Sequence, residues 1–353
     1  VPILEEIMTM KWSNRRSISL VAATGLVAAL ALSGCSSSSS SSSAAVSPTT
    51  AAPIEIAYLS ASSANTWLQA SKTAMDEIAA ANNMKLTTFD AQFKPGEQSK
   101  QVQDVLAAGK YKAIIISSVD GAGIIPDLQA AIAKGLKVGI LNQIVGAKLD
   151  TSEPQFAGPS VSVLAAPLRS GERLGKLTLQ ACVGISPCRV VYFYGIKGIP
   201  LDNALKLGFD SIVKANPAIQ IVAEGEGKYA GPDVAQKALA DIMQKTKNFD
   251  VVIGSDQSIQ GALLALTDAG KTSKVKLIGL GGSKPAIDGI TAGTWFGDVF
   301  GAPVTEGKLL MNAMVEALKT GKVTGGIDPA TTLPDEGLVT KANVAKFTAE
   351  WNG

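Results

Sequence analysis

The chain has 353 residues, 46% of them hydrophobic and 18% charged, which suits two globular lobes of ordinary size and excludes a disordered or coiled-coil composition. Its 32 basic and 30 acidic residues leave a formal charge of +2, which offers no basic face to a nucleic acid. There is no histidine, which argues against a Ser-His-Asp triad, a Cys-His dyad and most zinc chemistry.

The chain opens on an address. Lys11, Arg15 and Arg16 precede an uncharged apolar run over residues 17–32. A basic start, a short apolar core and a small-residue cleavage site form a secretory signal, and the run is short for a membrane span. Leu32-Ser33-Gly34-Cys35 resembles the bacterial lipobox, which implies cleavage before Cys35 and lipidation of its thiol. Residues 1–34 are therefore expected to be a signal peptide. Residues 35–53, with serines from 36 to 43, are expected to be a lipid-anchored flexible linker.

From residue 54 onward, short apolar runs alternate with amphipathic stretches. Strands are expected at 54–59, 85–89, 113–117 and 137–141, with helices at 67–81, 96–108 and 124–134. The rhythm then returns. Strands are expected at 189–194, 219–223, 251–254 and 275–280, with helices at 202–215, 233–245 and 259–269. Such alternation implies parallel sheets with helices on both faces. The second occurrence echoes the first, so two similar doubly wound α/β lobes are expected. Cys182 and Cys188 flank a short loop before the strand at 189. Export places them in an oxidising compartment, where they are expected to form a disulfide worth on the order of 2 kcal/mol.

Ligands of parallel α/β sheets bind beyond the carboxyl ends of the strands. Here those ends carry small or polar residues, including Ser60 to Asn65, Ser118 to Asp120, Asn142, Gln143, Ser255, Asp256, Gly281 and Gly282. Two such edges facing one another would form a cleft.

The sequence resembles the type I periplasmic binding proteins, in particular the ribose/galactose-type sugar-binding group of ABC importers. The resemblance spans about residues 54–340. It rests on IEIAYLSASSANTWLQASKTAMDEIA, GIKGIPLDNALKLGFDSI, VVIGSDQSIQGALLALTDAG and VKLIGLGG in that order. It implies two lobes joined by a hinge of three crossings, near 158–162, 300–302 and 329–333. One lobe would comprise 54–158 plus 303–330, the other 161–300 plus 331–353. Ligand would close the lobes, and a membrane permease would read the closed form.

The resemblance also implies ligand-binding positions: Asn65 and Trp67 after the first strand, Asn142 and Gln143 after the fourth, Asn203 at a helix start, Tyr229, and Asp256. Several have a structural alternative: Asn65 and Asp256 as helix caps, Trp67 as core. Two family positions, an aspartate and a hinge glutamine, are replaced by Gly281 and the Phe300–Gly301 region. The expected ligand is a small neutral polar molecule, with a sugar leading and a polyol, nucleoside or aromatic compound as alternatives. No cofactor or metal is expected, and the protein is expected to be a monomer outside the cytoplasm.

An enzyme is disfavoured, because neither G-x-G-x-x-G nor G-x-x-x-x-G-K-[ST] is present and no carboxylate pair is placed for hydrolysis. A sugar-responsive repressor would carry a helix-turn-helix where the secretion signal stands. A receptor used only for sensing is not separated from a transport component by the sequence.

Overall fold

The computed structural model describes residues 52–353. The expected signal peptide, the lipidation site at Cys35 and most of the linker lie outside the described residues.

The first part of the chain runs β1 (Ile54–Ser60), α1 (Thr66–Ala81), β2 (Met84–Asp90), α2 (Pro95–Ala108), β3 (Ala113–Ile116), α3 (Ile125–Ala133), β4 (Lys137–Leu141) and β5 (Val161–Val163). The next part runs α4 (Pro167–Ala181), β6 (Cys188–Tyr194), α5 (Pro200–Val213), β7 (Ile219–Glu226), α6 (Pro232–Lys245), β8 (Val251–Ile253), α7 (Asp256–Asp268), β9 (Lys276–Leu280), α8 (Lys284–Ala292) and β10 (Gly297–Val299). The last part holds α9 (Pro303–Thr320), β11 (Gly325–Ile327) and β12 (Leu338–Thr340).

These strands form two six-stranded sheets, ordered β11-β5-β4-β3-β1-β2 and β12-β10-β9-β8-β6-β7. The first sheet is parallel throughout. The second is parallel except for β12, which runs antiparallel to β10. The expected pair of doubly wound lobes is therefore present. Both faces of each sheet are covered, which is why β3 reads Ala-Ile-Ile-Ile with every residue buried. Apolar cores on the two faces of the first sheet are built around Tyr58, Ile115 and Met311 and around Leu59, Ile116 and Leu128. Those of the second are built around Val252, Leu277 and Trp295 and around Tyr192, Phe209 and Ile278.

One boundary differs from the sequence reading. The sequence places residues 161 onward in the second lobe, yet β5 pairs with β4 and β11 in the first sheet. The first crossing thus follows Val163 and precedes α4. A three-residue strand buried on both sides shows no alternation, so its membership is set by pairing partners far away in sequence.

Helix α4 packs on α5 at backbone distance. A Cβ added to Gly171 would lie 2.1 Å from the carbonyl oxygen of Leu205, and one on Gly208 would lie 2.0 Å from that of Leu168. Only glycine permits this approach, and it fixes the position of α5, whose first turns face the cleft. Cys182 at the end of α4 is disulfide-bonded to Cys188, the first residue of β6, with Cα atoms 5.7 Å apart.

Candidate functional site

The carboxyl ends of the two sheets face each other and enclose a cavity of about 120 Å³. Five expected site residues, Asn65, Trp67, Asn142, Gln143 and Tyr229, line it together. Two do not, Asn203 and Asp256.

Asn65 serves two purposes. Its backbone is extended, and its Oδ1 caps α1 by accepting from the Leu68 N–H at 3.0 Å. Its Nδ2 donates across the cleft to the Tyr229 carbonyl at 3.4 Å. The loop that carries it is pinned by Asp90, whose Oδ1 accepts from the Ser63 and Gln92 N–H groups. Hydrogen bonds to those residues hold the Asp90 carboxyl below its ordinary value, against the opposing effect of burial.

Trp67, in the first turn of α1, lays its ring against Gly301, and its edge meets Trp351 with centroids 5.4 Å apart. Its Nε1–H donates to Glu306 Oε2 at 3.3 Å. Asn142, at φ +64°, donates from Nδ2 to the same oxygen at 3.2 Å. Asparagine tolerates this left-handed conformation better than most residues, and it turns the side chain back toward α9.

Two aromatic residues are also held at positive φ, Phe93 at +55° and Tyr229 at +51°, one from each lobe. Bulky residues rarely adopt this conformation, and here surrounding bonds impose it. Phe93 N–H donates to the Ala61 carbonyl at 2.7 Å, and the Tyr229 hydroxyl donates to both oxygens of Asp202, at 3.1 and 3.2 Å. Their rings face each other across the cavity, 6.2 Å between centroids. Asp202 is buried and also accepts from the Gly195 and Ile196 N–H groups, at 2.6 and 3.0 Å. Burial raises its carboxyl to about 6 even so.

The two displaced positions have a geometric cause. Helix α5 starts at Pro200, so Asn203 falls on its fourth residue and points outward, donating to the Gly198 carbonyl at 3.1 Å. Leu201 and Leu205, one turn apart, face the cavity instead. Helix α7 starts at Asp256 itself, with Ser255 as its cap, so Ser255 and Gln257 reach the cavity while Asp256 turns into the core. Asp256 accepts from the Ser283 N–H at 2.7 Å and lies beside Asp298, which accepts from the Gly282 N–H at 2.8 Å. Both carboxyls are fully buried, and burial raises both; the Asp256 charge raises Asp298 further.

The lining residues absent from the sequence reading include Phe93, Glu306 and Trp351. Trp351 is tied to the second lobe, its Nε1–H donating to the Gly281 carbonyl at 2.8 Å. Its neighbour Glu350 accepts from the Thr305 N–H at 2.8 Å and from the Thr305 hydroxyl, at the start of α9 in the first lobe. A further bond across the cleft joins Gln257 Nε2 to Thr66 Oγ1 at 3.3 Å. The lobes are thus in contact around the cavity. Amides, a serine pair and aromatic faces supply its polar and stacking groups; no lysine or arginine lines it. Among the described residues, no group of three or more acidic or cysteine side chains is placed to hold a metal.

Residues 56–322 match the family described as the periplasmic binding protein domain. The chain belongs to that family. This periplasmic binding protein is 26% identical over 277 residues to the xylitol-binding protein of Mycolicibacterium smegmatis, covering 77% of this chain and 73% of the relative. It is 27% identical over 245 residues to the galactofuranose-binding protein of Escherichia coli, covering 68% and 72%. Its fold matches the Caulobacter myo-inositol binding protein bound to myo-inositol with a TM-score of 0.72 at 20% identity, covering 84% of this chain and 96% of that one. Family membership places the protein outside the cytoplasm and makes it a solute-binding component.

Proposed function

We propose that this chain captures a neutral polyhydroxylated ligand, a sugar or a polyol, in the cleft between its lobes and presents it to the permease of an ABC importer. The observation that carries this reading is the chemistry of the cavity wall. Asn65, Asn142, Gln143, Gln257 and Ser255 offer both donors and acceptors, which suits hydroxyl groups. Trp67, Phe93, Tyr229 and Trp351 offer apolar faces for the C–H side of a carbohydrate. The absence of lysine and arginine from the wall disfavours an anion. The names of the two curated relatives, one a polyol binder and one a sugar binder, support the same class. The ligand contacts assigned to Asn65, Trp67, Asn142, Gln143 and Tyr229 are part of this proposal. So are the lipid on Cys35, the monomeric state and the absence of catalysis.

A second reading is favoured by the wall of Leu201, Leu205, Leu280 and Leu333, which would suit a ligand with a larger apolar face, such as a small aromatic compound. One screen separates the two. The purified chain is melted with xylitol, myo-inositol, galactose, arabinose, nucleosides and aromatic acids in turn. A ligand at a hundred times its Kd stabilises the native state by about 2.7 kcal/mol. A shift from a sugar or polyol is expected. Shifts from aromatic acids or nucleosides alone would refute the proposal.

A further inference from the structure

Glu306 stands in the first turn of α9, just after the second crossing between the lobes, and is 2% exposed. It lines the cavity. Its Oε2 takes both neighbouring N–H donors, from Trp67 and Asn142, so Oε1 takes neither of them. None of the ion pairs among the described residues includes it. The charged groups that act on it are both acidic: Glu350 from the C-terminal segment and Asp328 from the third crossing. The buried Tyr58 phenol on β1 is also within its electrostatic reach. The start of α9 would favour an anion, but Glu350 already occupies the Thr305 N–H there. A carboxylate at Glu306 would therefore be a buried charge held by two neutral donors and opposed by two acids, an arrangement that burial penalises heavily.

We propose that Glu306 determines specificity by meeting the ligand as a neutral carboxylic acid, donating a hydrogen bond from Oε1 to a ligand hydroxyl oxygen. This rests on the sugar or polyol reading above. Burial, which pushes the Glu306 carboxyl up to about 8, accords with it. The role differs from that of a conventional sugar-site carboxylate, which accepts from hydroxyls and needs to be ionised. It also explains why an acid is tolerated in a cavity without a cation.

The test is calorimetric titration of the full chain with whichever of xylitol, myo-inositol, galactose and arabinose binds, from about pH 6 to pH 9.5, with Glu306→Gln and Glu306→Ala beside the wild type. Wild-type affinity is expected to be flat at low pH and to weaken toward tenfold per pH unit above about 8. Glu306→Gln, which keeps a neutral donor, is expected to bind within about threefold at pH 7 and to lose the pH dependence. Glu306→Ala is expected to bind at least about tenfold more weakly. Wild-type affinity that stays flat or strengthens through pH 9.5 overturns the proposal. Loss of binding in a folded Glu306→Gln also overturns it; if that variant does not fold, the wild-type pH profile decides. Binding by none of the four probes removes the sugar or polyol reading and this inference with it, whereas sugar binding with a flat profile removes this inference alone.

Discussion

Replacing Gly301 by alanine should weaken ligand binding without unfolding the protein. Gly301 is not in the left-handed region of backbone space, so its conformation accepts a side chain. The added Cβ would nevertheless lie 2.1 Å from Cη2 and 2.6 Å from Cζ3 of Trp67. Carbon atoms settle near ~3.5 Å, so the indole would have to retreat by about 1.4 Å. The ring cannot retreat freely, because its Nε1–H is held by Glu306 and its edge rests on Trp351. Overpacking of this kind costs about 1–3 kcal/mol. The cost falls on the closed arrangement, in which Trp67 of the first lobe meets the crossing at Gly301; separated lobes give the methyl room. Affinity should therefore drop roughly 5- to 150-fold. Calorimetry with a sugar or polyol found in the screen measures this, while a melt without ligand checks the fold. An unchanged affinity would refute the wedge, and so would a loss of intrinsic stability as large as the loss in binding.

Two further outcomes follow from the buried acids. Asp202→Ala removes the acceptor for the Gly195 and Ile196 N–H groups and the Tyr229 hydroxyl. It should lower stability by about 2–4 kcal/mol in denaturant unfolding, and it should weaken binding because Tyr229 loses its anchor. Asp256→Asn bears on the pair with Asp298. Both folded-state carboxyls are raised, so their contribution to stability is complete below the unfolded value of about 4 and is lost as pH rises through the folded values. An amide at Asp256 keeps an acceptor for the Ser283 N–H and relieves the charge repulsion. The variant should match or exceed the wild type in melting temperature near about pH 8 and lose that advantage near about pH 4. A deficit at every pH would show that relief of the repulsion matters less than the carboxyl's shape.

The alternation of strands and helices was legible because the sheets are buried on both faces, which writes them into the sequence as short apolar runs. The site was legible where a residue immediately follows such a strand, as Asn142 and Gln143 do, or caps the helix after it, as Asn65 does. It was blurred where the phase of a helix decides the matter. At Ser255-Asp256-Gln257 the start of α7 turns the middle residue inward and its neighbours outward. At Asn203 the helix begins at Pro200, which rotates the asparagine to the surface. Glu306 and Trp351 were not legible. An acid in an early helical turn reads as an ordinary response to the helix field, and its meeting with Asn142 joins positions 164 residues apart. The one available signal was its place just after the expected crossing at 300–302.

The contact between α4 and α5 carries an evolutionary consequence. Gly171 and Gly208 lock those helices together through main-chain atoms and do not line the cavity, which is lined by side chains such as Leu201 and Leu205 nearer the start of α5. The residues that secure the lobe and those that touch the cavity are therefore different residues on one helix. Substitutions at Leu201 or Leu205 can reshape the wall while the glycine lock is left intact. A lineage built this way can drift from one small solute to another by changing a few wall positions, with its scaffold unchanged.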